Sequence, residues 1–126
     1  MQKALPAVLL ALATMMSVAS WSWGYAAAEG LFEAVKAGDG AAVRRFLDRG
    51  VNPNALDEYQ RTPLHWAASR GMTEVAALLI QKGARVNAGD CYHETPLHHS
   101  VYWGNTEVAA LLIEKGAKAN ASNGRH

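Results

Sequence analysis

The chain has 126 residues, half of them apolar and 18% charged, with a formal net charge of +1. That length holds one domain, and the composition excludes a charge-rich disordered chain. Lys3 is the sole charge before Glu29, and the 11 basic and 11 acidic residues beyond position 28 balance. A neutral domain with no basic patch argues against nucleic acid as a partner.

In chain order, the first element is an address. Lys3 precedes an apolar run over 4–13, interrupted by Pro6 and mostly apolar to Ala19. One early positive charge before an apolar core of this size predicts a secretory signal peptide within residues 1–28. Small residues suited to the cleavage site are Ser17 with Ala19, Gly24 with Ala26, and Ala26 with Ala28. These place the cut between 19 and 28. A retained anchor is the competing reading, and Trp21, Trp23 and Tyr25 suit a membrane interface. The apolar stretch falls short of the ~20 residues of a spanning helix, however, and no basic stop-transfer cluster follows it. Membrane attachment therefore arises only if this segment is retained. Export to the periplasm or outside the cell is the expectation.

The rest of the chain repeats with a period of 33. Thr62-Pro63-Leu64-His65 recurs as Thr95-Pro96-Leu97-His98, and the run from Thr73 to Ile80 recurs from Thr106 to Ile113. Lys82-Gly83-Ala84 and Asn87-Ala88 recur as Lys115-Gly116-Ala117 and Asn120-Ala121, so that 19 of the 32 comparable pairs are identical. A weaker first copy holds Leu31, Ala34 and Gly38 where the second has Leu64, Ala67 and Gly71. It is more polar and lacks Thr-Pro and His, as a terminal repeat with one face in water can be. The units are 29–61, 62–94, and 95–126 with a short tail.

Within each unit the residue types predict two helices and a turn. Thr62 and Thr95 are expected N-caps, followed by proline at the first helical position, where its missing N–H costs nothing. The inner helix runs to Arg70 or Trp103, and Gly71 or Gly104 stops it. Thr73 and Thr106 are expected to cap the second helix, in which Val75, Leu78 and Leu79 (Val108, Leu111 and Leu112) recur at helical spacing. Gly83 and Gly116 end it, and Asn87, Gly89 and Asp90 supply turn chemistry before the next threonine.

Thr-Pro-Leu-His, the 33-residue period and the Gly-Ala-x-x-Asn-Ala run resemble the ankyrin repeat, over roughly residues 29–123. The resemblance implies an all-α solenoid of about three helix–turn–helix repeats, in which His65 and His98 tie turns together. It also implies binding of another protein through hairpin tips and the exposed side of the inner helices. The family usually places glycine two residues before the threonine, where Gln60 and His93 stand here. Carried over by position, the candidate protein-binding residues are Tyr59, Arg61, Trp66, Arg70, Tyr92, Glu94, His99, Tyr102 and Trp103. Tyr, Trp and Arg are the types that dominate binding hot spots. Trp66 and His99 also suit packing between repeats.

Chemistry is weakly signalled. His65, His93, His98, His99 and Cys91 lack the paired spacing of a zinc site, and no glycine-rich phosphate loop occurs. Cys91 with His93 is the one nearby nucleophile–base pair, on a turn that does not preorganise it. With a single cysteine, no internal disulfide forms. Asn120-Ala121-Ser122 fits the glycosylation acceptor pattern, although Asn-Ala is part of the repeat. No cofactor, metal or catalytic residue is assigned.

These features together predict an exported, periplasmic scaffold that binds a protein, not an enzyme. One alternative is an immunity or protective accessory protein for a toxin or a redox enzyme. Another, of a different class, is a metal- or thiol-dependent enzyme. The apolar second helix of the last copy, with Val108, Leu111, Leu112 and Ile113, raises the further expectation of self-association or end-on docking at that edge.

Overall fold

The computed structural model describes residues 26–119. Of the expected signal segment 1–28, residues 1–25 with Trp21, Trp23 and Tyr25 lie outside the described residues, as does the Asn120-Ala121-Ser122 match, while residues 26–28 open the first helix. Six helices occur, and no strand is present among the described residues. They are α1 (26–37), α2 (Gly40–Asp48), α3 (Pro63–Arg70), α4 (Thr73–Gln81), α5 (Pro96–Tyr102) and α6 (Thr106–Glu114). None is long and apolar enough to cross a membrane.

Each pair of helices is one repeat. α3 packs on α5 in an inner layer, while α4 packs between α2 and α6 in an outer one. Neither helix of a pair hides its apolar stripe alone, so neighbouring pairs bury it jointly. Leu31, Val35, Val43, Leu64, Leu79, Val108 and Leu112 are fully enclosed and form one continuous core across the three repeats. The weaker first copy therefore contributes to the core nearly as much as the second, and more than the third.

The helix starts follow from short-range hydrogen bonds. Thr62 Oγ1 accepts from the His65 amide, while the Thr62 amide donates to His65 Nδ1 at 3.0 Å. Thr95 and His98 repeat this reciprocal cap. Asp39 caps α2 by accepting from the Ala42 amide at 3.1 Å. The expectation that Thr73 and Thr106 cap the outer helices is corrected: they are the first helical residues, and Met72 and Asn105 precede them with no side-chain cap bond. Asn105 turns instead to the neighbouring repeat, where its amide donates to the Ala68 and Ser69 carbonyls at the end of α3. α5 stops at Tyr102, with Trp103 as its C-cap.

Asparagine stitches adjacent repeats. Asn54 donates to the Gly83 carbonyl and accepts from the Arg85 amide, at 3.0 and 2.7 Å. One period on, Asn87 makes the same pair with Gly116 and Lys118, at 3.1 and 2.9 Å. The Asn of the repeated Asn-Ala is thus an inter-repeat clamp that pairs backbone groups with no helical partner.

The hairpins close without glycine. Gln60 and His93 adopt left-handed backbone with φ of 60° and 61°, a conformation that costs a side-chain-bearing residue about 1–2 kcal/mol. Asp57 and Asp90 offset that cost by accepting from the amides two and four residues on. The Cys91 amide donates to the Tyr59 carbonyl at 3.1 Å and joins consecutive tips. At the outer edge of the last repeat, Val101 and Ile113 remain exposed, while Val108 and Leu112 are enclosed.

Candidate protein-binding face

Inner-helix positions one period apart stand side by side on the concave face. Between the second and third repeats they line an open groove of about 730 Å³. Arg61 and Glu94 come from the hairpins, Trp66 and Arg70 from α3, His99 and Tyr102 from α5, and Trp103 from its C-cap. Seven of the nine candidate residues therefore share one groove. Tyr59 lies in the adjoining groove on the other side of Trp66, and Tyr92 stands exposed at its hairpin tip.

The groove has a wet aromatic rim and a buried polar floor. Tyr102 is 81% exposed and Trp103 61%, with their rings edge to face at 5.2 Å. Arg70 is exposed beside them. Large rigid rings in water are unusual for a monomer surface and are the groups that release most free energy when covered.

Beneath the rim, side chains satisfy one another. His65 Nδ1 accepts from the Thr62 amide, so its Nε2–H donates to the Glu94 carbonyl at 2.9 Å. Burial drives the His65 pKa down from 6.5 to about 4, against the raising effect of the Glu94 carbonyl bond. The His99 ring meets that of His65 edge to face at 5.2 Å. His99 Nδ1 lies 3.1 Å from Ser69 Oγ, and its Nε2 3.0 Å from Asp90 Oδ2. Burial of the Asp90 carboxyl raises its pKa, but hydrogen bonds from His99 and from the Glu94 and Tyr92 amides together outweigh this and hold it below the usual range. Arg61 Nε approaches the same carboxylate at 3.7 Å without a hydrogen bond.

His65, Asp90 and His99 bring three potential metal-ligating atoms within 4.8 Å of one another, a juxtaposition the sequence spacing did not reveal. Each of those atoms already has a hydrogen-bond partner, and a cation would have to break the His65–Glu94 and His99–Asp90 contacts. The cluster works as a clamp between repeats.

Trp66 and His99 occupy equivalent positions and make equivalent bonds. Trp66 Nε1–H donates to Asp57 Oδ2 at 2.9 Å, as His99 does to Asp90. Trp66 also lies beneath two cations, with Lys36 Nζ 4.7 Å from a ring centroid and the Arg61 guanidinium 5.9 Å away. His99 is buried, whereas Trp66 keeps a partly open face. The first repeat supplies groove residues that the candidate set omitted. Glu33 and Lys36 stand one period before Trp66 and Ser69, so carrying the inner-helix positions back through the weak copy would have found them.

A stack of paired helices, clamped by repeated side-chain bonds and presenting a ridged concave wall, defines a repeat solenoid of the protein-binding class. The ankyrin-repeat model, in three copies, matches residues 31–123, and the chain belongs to the ankyrin-repeat family. It is similar to the putative ankyrin repeat protein YahD of Escherichia coli, 42% identical over 55 residues, which are 40% of this chain and 27% of that protein. It is also similar to the 26S proteasome non-ATPase regulatory subunit 10 of Dictyostelium discoideum, 38% identical over 66 residues, covering 52% and 28%. The potassium channel GORK of Arabidopsis thaliana matches at 45% over 47 residues, covering 37% and 6%. The chain thus spans less than a third of the length of each of these relatives. Ankyrin repeats mark it as a protein–protein interaction scaffold, in a family that is typically not enzymatic.

Proposed function

We propose that this chain is an exported binding scaffold that grips one protein partner with its concave face. The carrying observation is the pair Tyr102 and Trp103, held in water on the end of α5 beside Arg70. Burial of two such rings supplies several kcal/mol of association free energy, on the order of 25 cal/mol per Å² of apolar area covered. The chemistry favours holding over reacting, because His65, His99 and Asp90 are committed to one another and to backbone groups. Export is supported by Lys3 and the apolar run behind it. Ala27 packs in the core, which favours a cut before α1 over one after Ala28.

The test is affinity capture from a periplasmic extract, with mass spectrometry of what is held. A specific protein retained by the wild-type chain and lost on Tyr102→Ala/Trp103→Ala supports the proposal. A partner retained equally by both refutes the assignment to this face.

A further inference from the structure

The groove between the first and second repeats is as large as its neighbour, about 720 Å³, and differs in charge. Phe32 and Trp66 form its apolar floor, and Leu56, 61% exposed, and Tyr59 stand at its rim. Glu29, Glu33, Asp57 and Glu58 bring four carboxylates to it against the single amine of Lys36. Across Trp66 the neighbouring groove carries Arg61 and Arg70 against Glu94. The concave face is therefore polarised along the stack.

We infer that the first groove receives a linear segment of the partner protein bearing Lys or Arg beside an apolar residue. This rests on the reading that the concave face holds a protein. Charge complementarity selects the occupant: a basic side chain gains from Glu29, Glu33 and Glu58, all of which face water, while an acidic one is repelled. The chain's own cation shows that the walls suit an amine, since Lys36 Nζ stands over Trp66 at 4.7 Å and 3.7 Å from Glu33 Oε1. The exposed Leu56 and Tyr59 give an adjacent aliphatic group a surface to cover.

The experiment selects a phage-displayed library of random linear peptides against the full chain. The selected peptides are then measured on the wild type, on Glu29→Gln/Glu33→Gln/Glu58→Gln and on Tyr102→Ala/Trp103→Ala. Enrichment of Lys and Arg over Asp and Glu is expected. So is affinity that falls with added salt, and about tenfold weaker binding by the triple Gln variant at low salt with an unchanged thermal transition. Peptides that lose binding on Tyr102→Ala/Trp103→Ala, yet carry no basic enrichment and ignore the Gln substitutions, overturn this inference and leave the concave-face reading standing. A library that yields no peptide sensitive to either variant overturns both.

Discussion

His99 Nε2 stands 3.0 Å from Oδ2 of the buried Asp90, nine residues earlier on the hairpin that leads into α5. One period back, Trp66 Nε1 stands 2.9 Å from Asp57 Oδ2. Two unlike rings thus do the same work, joining an inner helix to the aspartate that closes its hairpin. In the later repeat the tie also crosses to α3 through Ser69, so Asp90 holds both the hairpin and the seam between repeats.

Asp90→Ala removes the acceptor of the Tyr92 and Glu94 amides and of His99, and leaves Arg61 beside an empty corner. Its expected cost is about 2–4 kcal/mol, the range for stripping a buried charged acceptor from its donors. Urea unfolding followed by circular dichroism measures it as a lowered midpoint. An unchanged midpoint would mean that the cluster contributes nothing to the stack.

Acid is expected to weaken the fold through His65. Its folded pKa, about 4, lies below the value of 6.5 for an unhindered histidine because burial disfavours the charged ring. Since the folded state resists protonation, stability is full above about pH 6.5 and is lost as pH falls from there toward 4, by about 3 kcal/mol at most. Asp90, held below its usual range, withdraws its own contribution only at lower pH. Urea titrations at stepped pH check the sign: midpoints that rise between pH 6.5 and 4 would contradict it.

Gln60→Gly and His93→Gly are each expected to stabilise by about 0.5–1 kcal/mol. Relief of the left-handed backbone outweighs the greater freedom glycine gives the unfolded chain. Gly71→Ala is expected to do the reverse, by about 1–2 kcal/mol or more. Its φ is 68°, and an added Cβ would meet Asn105 Oδ1 at 2.8 Å, within the amide that ties α6 to α3. Thermal melts of the three variants test both signs.

Asn87→Ala cuts the bonds to Gly116 and Lys118 that hold the third repeat against the second. A loss of about 1–2 kcal/mol is expected, with faster amide exchange in α6 than in α3. Uniform exchange across the stack would show that the repeats do not depend on this clamp.

The architecture was legible because the repeat is written in residues with single purposes. Thr-Pro starts a helix, Gly71 ends one, and Asn87 joins neighbours. The period of 33 then placed seven of the nine candidate residues in one groove. Seams between repeats were less legible, because they depend on which side chains meet across the period. That His99 faces Asp90 and that Asn105 reaches back to α3, leaving its own helix uncapped, are set by stacking distance and helix rotation. The first groove was missed for a related reason: the weak copy has Glu33 where later copies have Trp66 and His99, and Lys36 where they have Ser69 and Tyr102, and no motif marks them.

The decisive measurement is calorimetric titration of the captured partner into three forms of the chain: wild type, Tyr102→Ala/Trp103→Ala, and Arg45→Ala/Glu107→Ala on the outer helices. If the concave wall is the gripping surface, the aromatic variant loses affinity by at least about a hundredfold, the hot-spot range for two rings, while the outer-helix variant binds as wild type does. Equal affinity for all three forms, or loss confined to the outer-helix variant, would place the grip elsewhere and contradict it.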